Sequence, residues 1–146
     1  MKNKENSIAV VISDFNRKIT DGLLEGAKRS FDENSGKSLK VIRVPGAFEI
    51  PGTVKRIAQN LSFDAIVTLG AVIKGETKHF DFISSACTNG IQKLSMEFDI
   101  PIVFGVITTE NVKQALDRST KNNKGYEVMN AAFQMINTFK ELDKSS

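Results

Sequence analysis

Short apolar runs alternate with longer amphipathic segments along the chain, and this alternation restricts the fold more than any other feature. Ile8–Ser13 is β-branched and continuous, the mark of a strand buried on both faces. Ile19, Leu23, Ala27 and Phe31 then recur at helical spacing. Leu39–Val44 reads as a second strand, and Ile50, Val54, Ile57, Ala58 and Leu61 mark a second helix. Ala65–Leu69 is a third strand. The stripe Ile83, Ala86, Cys87, Gly90, Ile91, Leu94 and Phe98 predicts a long third helix. Ile102–Ile107 is a fourth strand, followed by a short helix over Asn111–Arg118 and a last one over Tyr126–Leu142. Strands separated by helices are joined by right-handed crossovers, which makes the sheet parallel and covers both its faces. The expectation is an α/β fold, a three-layer α/β/α sandwich around a four-stranded parallel sheet. It forms one domain over residues 1–146, with polar tails at 1–7 and 143–146.

In such sheets ligands gather beyond the carboxyl ends of the strands. That singles out Asp14–Lys18, Pro45–Ile50, Gly70–His79 and Thr108–Asn111. Composition narrows the ligand class. Twenty basic and 17 acidic residues give a net charge of +3 without a basic stripe, which argues against nucleic acid and suits small anions such as phosphate esters. The single cysteine, Cys87, forms no internal disulfide and no cysteine-based zinc site. No apolar run approaches the roughly 18 residues needed to span a bilayer, and Ile8–Ile12 is too short for a signal-peptide core. The chain reads as soluble and cytoplasmic, with no metal and no membrane partner expected.

Pro45-Gly46-Ala47-Phe48-Glu49-Ile50-Pro51 holds two of the three prolines. Each pushes the residue before it, Val44 and Ile50, toward extended geometry. The stretch between is expected to be neither strand nor helix, so its backbone needs other partners. A polyhydroxylated ligand bound through Glu49 is one solution. A rigid loop with Phe48 plugged into the core and Glu49 capping the next helix is the other. Gly75 and Thr77 lie just before the long third helix, where free N–H groups and the dipole favour an anion. Thr77 serves equally well as a plain helix cap. His79 is the only histidine. The ordinary imidazole pKa of about 6.5 suits proton transfer near neutral pH, and its place beside an anion site favours chemistry over a purely structural role. Phe15 either stacks on a flat heterocycle or plugs the core, and taken alone the plug is preferred. Arg118 either grips a phosphate or simply matches the dipole at a helix end.

Together these segments resemble the lumazine synthase family in order and spacing: Phe15-Asn16, Val44–Pro51, Gly70–Phe80, Pro101–Asn111 and Asn123-Lys124-Gly125, over about Ile8 to Phe139. The resemblance implies a flavodoxin-like fold and a cofactor-free condensing enzyme of riboflavin biosynthesis. Its two substrates would be 5-amino-6-(D-ribitylamino)uracil and 3,4-dihydroxy-2-butanone 4-phosphate. It implies that Phe15 stacks on the pyrimidinedione. Ala47, Phe48 and Glu49 would bind the ribityl chain, and Ala71, Val72 and Ile73 would line the ring pocket. Glu76 and Thr77 would hold phosphate, and His79 would transfer protons. Phe104, Arg118 and Lys124 would come from a neighbouring subunit of a homopentamer, and riboflavin synthase is a candidate partner. Two features depart from many relatives: few residues precede the first strand, and the Arg118–Lys124 loop is shorter. The competing class is a carrier that binds a flavin or lumazine without turnover. A receiver-type signalling domain is discounted, because Asp14 lacks an acidic neighbour and the third strand ends without an aspartate.

Overall fold

The computed structural model describes residues 6–60 and 62–145. The elements run β1 (Ser7–Ser13), α1 (Arg17–Glu33), β2 (Ser38–Val44), a 3₁₀ turn (Ala47–Glu49), α2 (Ile50–Asn60), β3 (Ala65–Ile73), α3 (His79–Glu97), β4 (Ile102–Thr109), α4 (Val112–Arg118) and α5 (Lys124–Ser145). The four strands are parallel in the order β2-β1-β3-β4. Alternate residues of β1 feed opposite layers, which is why its sequence is apolar without interruption. Ile8, Val10 and Ile12 pack with Leu23, Ala27, Met129 and Phe133 of α1 and α5. Ala9 and Val11 pack with Ile50, Val54, Ile91 and Leu94 of α2 and α3. Between α1 and α5, Phe31 and Phe133 meet with ring centroids 6.0 Å apart and planes tilted by 51°. The three-layer α/β/α sandwich expected from the alternation is present.

The ends of elements differ from expectation, each for a local reason. β3 runs four residues past Leu69, because β4 also lengthens, to Thr109, and pairs with it through Ile73↔Thr109. β1 pairs with β3 only as far as Ile12↔Leu69. Ala47–Glu49, expected to be neither strand nor helix, closes a 3₁₀ turn. Ile50 is helical (φ −64°, ψ −51°) despite the proline after it. Its side chain is fully buried, worth roughly 1.5–3 kcal/mol, and Pro51 sits in the first helical turn, where no N–H is missed. α5 is longer than expected at both ends and takes in positions 143–145 assigned to a tail. Ser7, also assigned to a tail, opens β1, and Asn6 is buried. On α3, Ala86 faces solvent, and the buried stripe reduces to Cys87, Ile91 and Leu94. Leu61, residues 1–5 and Ser146 lie outside the described residues. No described helix is long and apolar enough to cross a membrane.

Candidate active site

The chain leaves β1 toward one side of the sheet and β3 toward the other, so the carboxyl ends of these neighbours flank a topological switch point. Here β3 projects beyond β1, and past Leu69 no strand among the described residues pairs with the edge that β1 occupies earlier. The step opens a cleft of about 620 Å³. Phe15 and the Pro45–Glu49 turn form one wall, Ala71–Ile73 the floor, and Gly75, Thr77, His79, Phe80 and Ile83 the far wall.

Backbone hydrogen bonds hold the first wall together. Asp14 N–H donates to Val44 O at 2.8 Å, and Phe15 N–H donates to Pro45 O at 3.0 Å. Arg43 clamps the same two segments, donating to Asp14 at 2.8 Å and to Asp21 at 3.0 Å. The hydrogen bond to Asp14 is the main reason its pKa is raised, against partial desolvation. Asn16 adopts a left-handed conformation (φ 64°), tolerable for asparagine. Its amide donates to Ala71 O at 3.4 Å, supplying a partner on the edge that β1 leaves unpaired.

Phe15 is 69% exposed and Phe48 60% exposed. Neither is a core plug, which overturns the plug preferred for Phe15 on sequence alone. Both line the cleft with much of their surface exposed. Glu49 caps the 3₁₀ turn that contains it and not the following helix: Gly46 N–H donates to its Oε1 at 2.9 Å. One carboxylate oxygen therefore orders the turn, and the other has no protein partner among the described residues. Thr77 Oγ accepts from His79 N–H at 3.2 Å, so it holds the first N–H of α3 from just outside the N-cap position while its own proton stays available. His79 opens α3, exposed, on the cleft wall.

Four candidates do not line this cleft. Glu76 stands in the adjoining loop, exposed. Phe104 is half-buried midway along the edge strand β4, against the α2–α3 layer. Arg118 ends α4 in a separate depression of about 520 Å³ with Thr108, Thr109 and Lys113. Lys124 begins α5 and pairs with Glu127 at 3.5 Å. Sequence reasoning did not single out Phe80 and Ile83 as lining residues, whereas Pro45, Gly46 and Gly75 lie within the segments that it did single out. Phe80 and Ile83 lie one turn apart at the start of α3, and their position next to His79 was the available signal. Cys87 is buried, and desolvation pushes its thiol up to about 11, so it offers no thiolate. Among the described residues no cluster of His, Cys, Asp and Glu side chains could hold a metal ion.

A doubly wound parallel sheet with an aromatic-rimmed cleft at its switch point, an acid on one wall and an imidazole at a helix start on the other, defines a protein that handles small polar heterocycles or phosphates. The comparisons make this specific. The sequence profile of the family described as 6,7-dimethyl-8-ribityllumazine synthase matches residues 5–140. The 6,7-dimethyl-8-ribityllumazine synthase of Nautilia profundicola is 47% identical over 139 residues, covering 92% of this chain and 90% of that protein. That of Campylobacter jejuni is 46% identical over the same length. The chain belongs to the 6,7-dimethyl-8-ribityllumazine synthase family.

Proposed function

We propose that the protein condenses 5-amino-6-(D-ribitylamino)uracil with 3,4-dihydroxy-2-butanone 4-phosphate to give 6,7-dimethyl-8-ribityllumazine, as its family membership implies. The observation that carries the proposal is the convergence of Phe15, Ala47–Glu49, Ala71–Ile73, Thr77 and His79 on one cleft at the switch point. Phe15 stacks on the pyrimidinedione, and the extended edge of β3 meets its polar rim. Phe48 and the unpaired oxygen of Glu49 take the ribityl chain. Thr77, with Glu76 beside it, faces the phosphate at the start of α3.

The amino group of the pyrimidine attacks the ketone, and water leaves to give an imine. Loss of a carbon-bound proton expels phosphate, the enol tautomerises, and the second amine closes the ring with loss of another water. Each step is addition, elimination or proton transfer. Holding two substrates in register supplies up to about 7–11 kcal/mol in favourable cases, and His79 adds proton transfer, typically worth about 10²–10⁴-fold.

The reading extends to assembly. Phe104, Arg118 and Lys124 lie away from the cleft of their own chain, which fits a site that a neighbouring copy completes. On α3, Phe82 (68% exposed) and Met96 (73% exposed) share one face with Ala86. These exposed apolar side chains, with Asn89 and Lys93 between them, suit packing against further copies in a homopentamer. Incubating the purified protein with both substrates tests the activity. Formation of the lumazine product is expected. A yellow protein that binds lumazine or flavin tightly without turnover would establish the carrier instead.

A further inference from the structure

We infer that Asn123 is a positioning residue for phosphate binding: one buried amide fixes both Arg118 and Lys124, the two cations offered to a neighbouring cleft. The inference rests on the proposed role of those cations. Arg118 ends α4, Lys124 begins α5, and only Ser119–Asn123 separates them. Asn123 is 8% exposed. Its Nδ2 donates to Ser119 O at 3.0 Å, adjoining Arg118, and to Gly22 O of α1 at 2.9 Å. Its Oδ1 accepts from Tyr126 N–H at 3.1 Å, in the first turn of α5 and two residues beyond Lys124. The amide thus ties both ends of the turn to each other and to α1.

Three glycines make room for it. A Cβ on Gly26 would fall inside the Asn123 amide, one on Gly125 would strike Leu23 O, and one on Gly22 would lie 2.6 Å from Ser119 O. The neighbouring Asn122 completes the arrangement. Its Nδ2 donates to both carboxylate oxygens of Asp117, at 3.1 and 3.0 Å. The acid next to Arg118 is thereby engaged elsewhere, and the guanidinium keeps no carboxylate partner among the described residues. A short turn closed on a buried amide holds the backbone at Arg118 and Lys124 at fixed spacing, which lowers the ordering cost of gripping an anion.

The test uses the full-length protein with Asn123→Ser and Asn123→Asp, alone and combined with Arg118→Ala. Light scattering confirms that each variant assembles. The aspartate keeps the acceptor for Tyr126 and loses both donors. The serine leaves the turn without its clamp and serves where the aspartate misfolds. The expected result is a rise of roughly 10- to 100-fold in KM for the butanone phosphate. The inhibition constant for inorganic phosphate rises in parallel, while KM for the pyrimidine stays within about twofold. Added to Arg118→Ala, either change costs less than it does alone, because only Lys124 remains to be positioned. Equal weakening of both substrates, unchanged phosphate constants in an assembled variant, or fully additive losses would each overturn the positioning role. If Arg118→Ala alone leaves phosphate binding intact, the phosphate assignment fails first and the role of Asn123 falls with it.

Discussion

Two phenylalanines mark the cleft because of where they are not. Phe15 and Phe48 expose more than half their surface in a chain whose other large apolar side chains mostly fill the two layers. A backbone bond to Pro45 fixes Phe15, so the ring is displayed without being packed. Replacing Phe15 with leucine keeps apolar bulk and loses the ring face. The stacking term is about 0.5–1.5 kcal/mol, so the dissociation constant of the pyrimidine, measured by titration, should rise severalfold with the melting temperature unchanged. His79 is a different case. In the proposed reaction, positioning rests on Phe15, Phe48, Glu49, Thr77 and the cations, and the leaving phosphate and water can also carry protons. His79→Ala should therefore lower kcat by about 10- to 10³-fold with little change in substrate affinity, since an interaction made only in the transition state need not alter ground-state binding. Single-turnover product formation measures this, and an undiminished rate would return His79 to a structural role.

At the scale of elements, what could be read from the sequence divides along physical lines. The centres of all four strands and the faces of α1 and α2 were legible, because short apolar runs and helical spacing mark the sides that face the sheet and its layers. The ends were not. Leu69–Gly70 looks like a strand end because Gly70 breaks the apolar run, yet β3 continues to Ile73 since β4 offers a matching edge. That pairing is long-range and leaves no local signal. Ile50 defied the rule for residues before proline because its burial was decided by the α2–α3 layer. The candidate site was legible as far as it lies at strand ends: Phe15, Ala47–Glu49, Ala71–Ile73, Thr77 and His79 all reach one cleft. Exposure was not, which is why the plug was preferred for Phe15. Asn123 carries no signal of its own in the sequence beyond its place in Asn123-Lys124-Gly125. Its function as a clamp depends on Gly22 and Gly26, about a hundred residues earlier in the chain.

The whole molecule presents its chemistry on two separated surfaces. The cleft at the β1–β3 switch point carries the imidazole and the aromatic walls. The depression beside α4, at the outer edge of β4, carries Arg118. Arg118 does not line the cleft of its own chain, and in the proposed ring of copies joined by heterologous contacts the Arg118 of a neighbour would complete it. The central claim, a condensing site completed between chains, is tested by mixing two defective proteins, His79→Ala and Arg118→Ala, under conditions where tagged subunits are seen to exchange. In a random mixed ring about one interface in four joins an intact cleft to an intact arginine. Lumazine formation should then climb well above that of either parent, toward about a quarter of the wild-type rate. A mixture that exchanges fully and yet shows only the average of its parents would place the whole site within one chain and contradict the account.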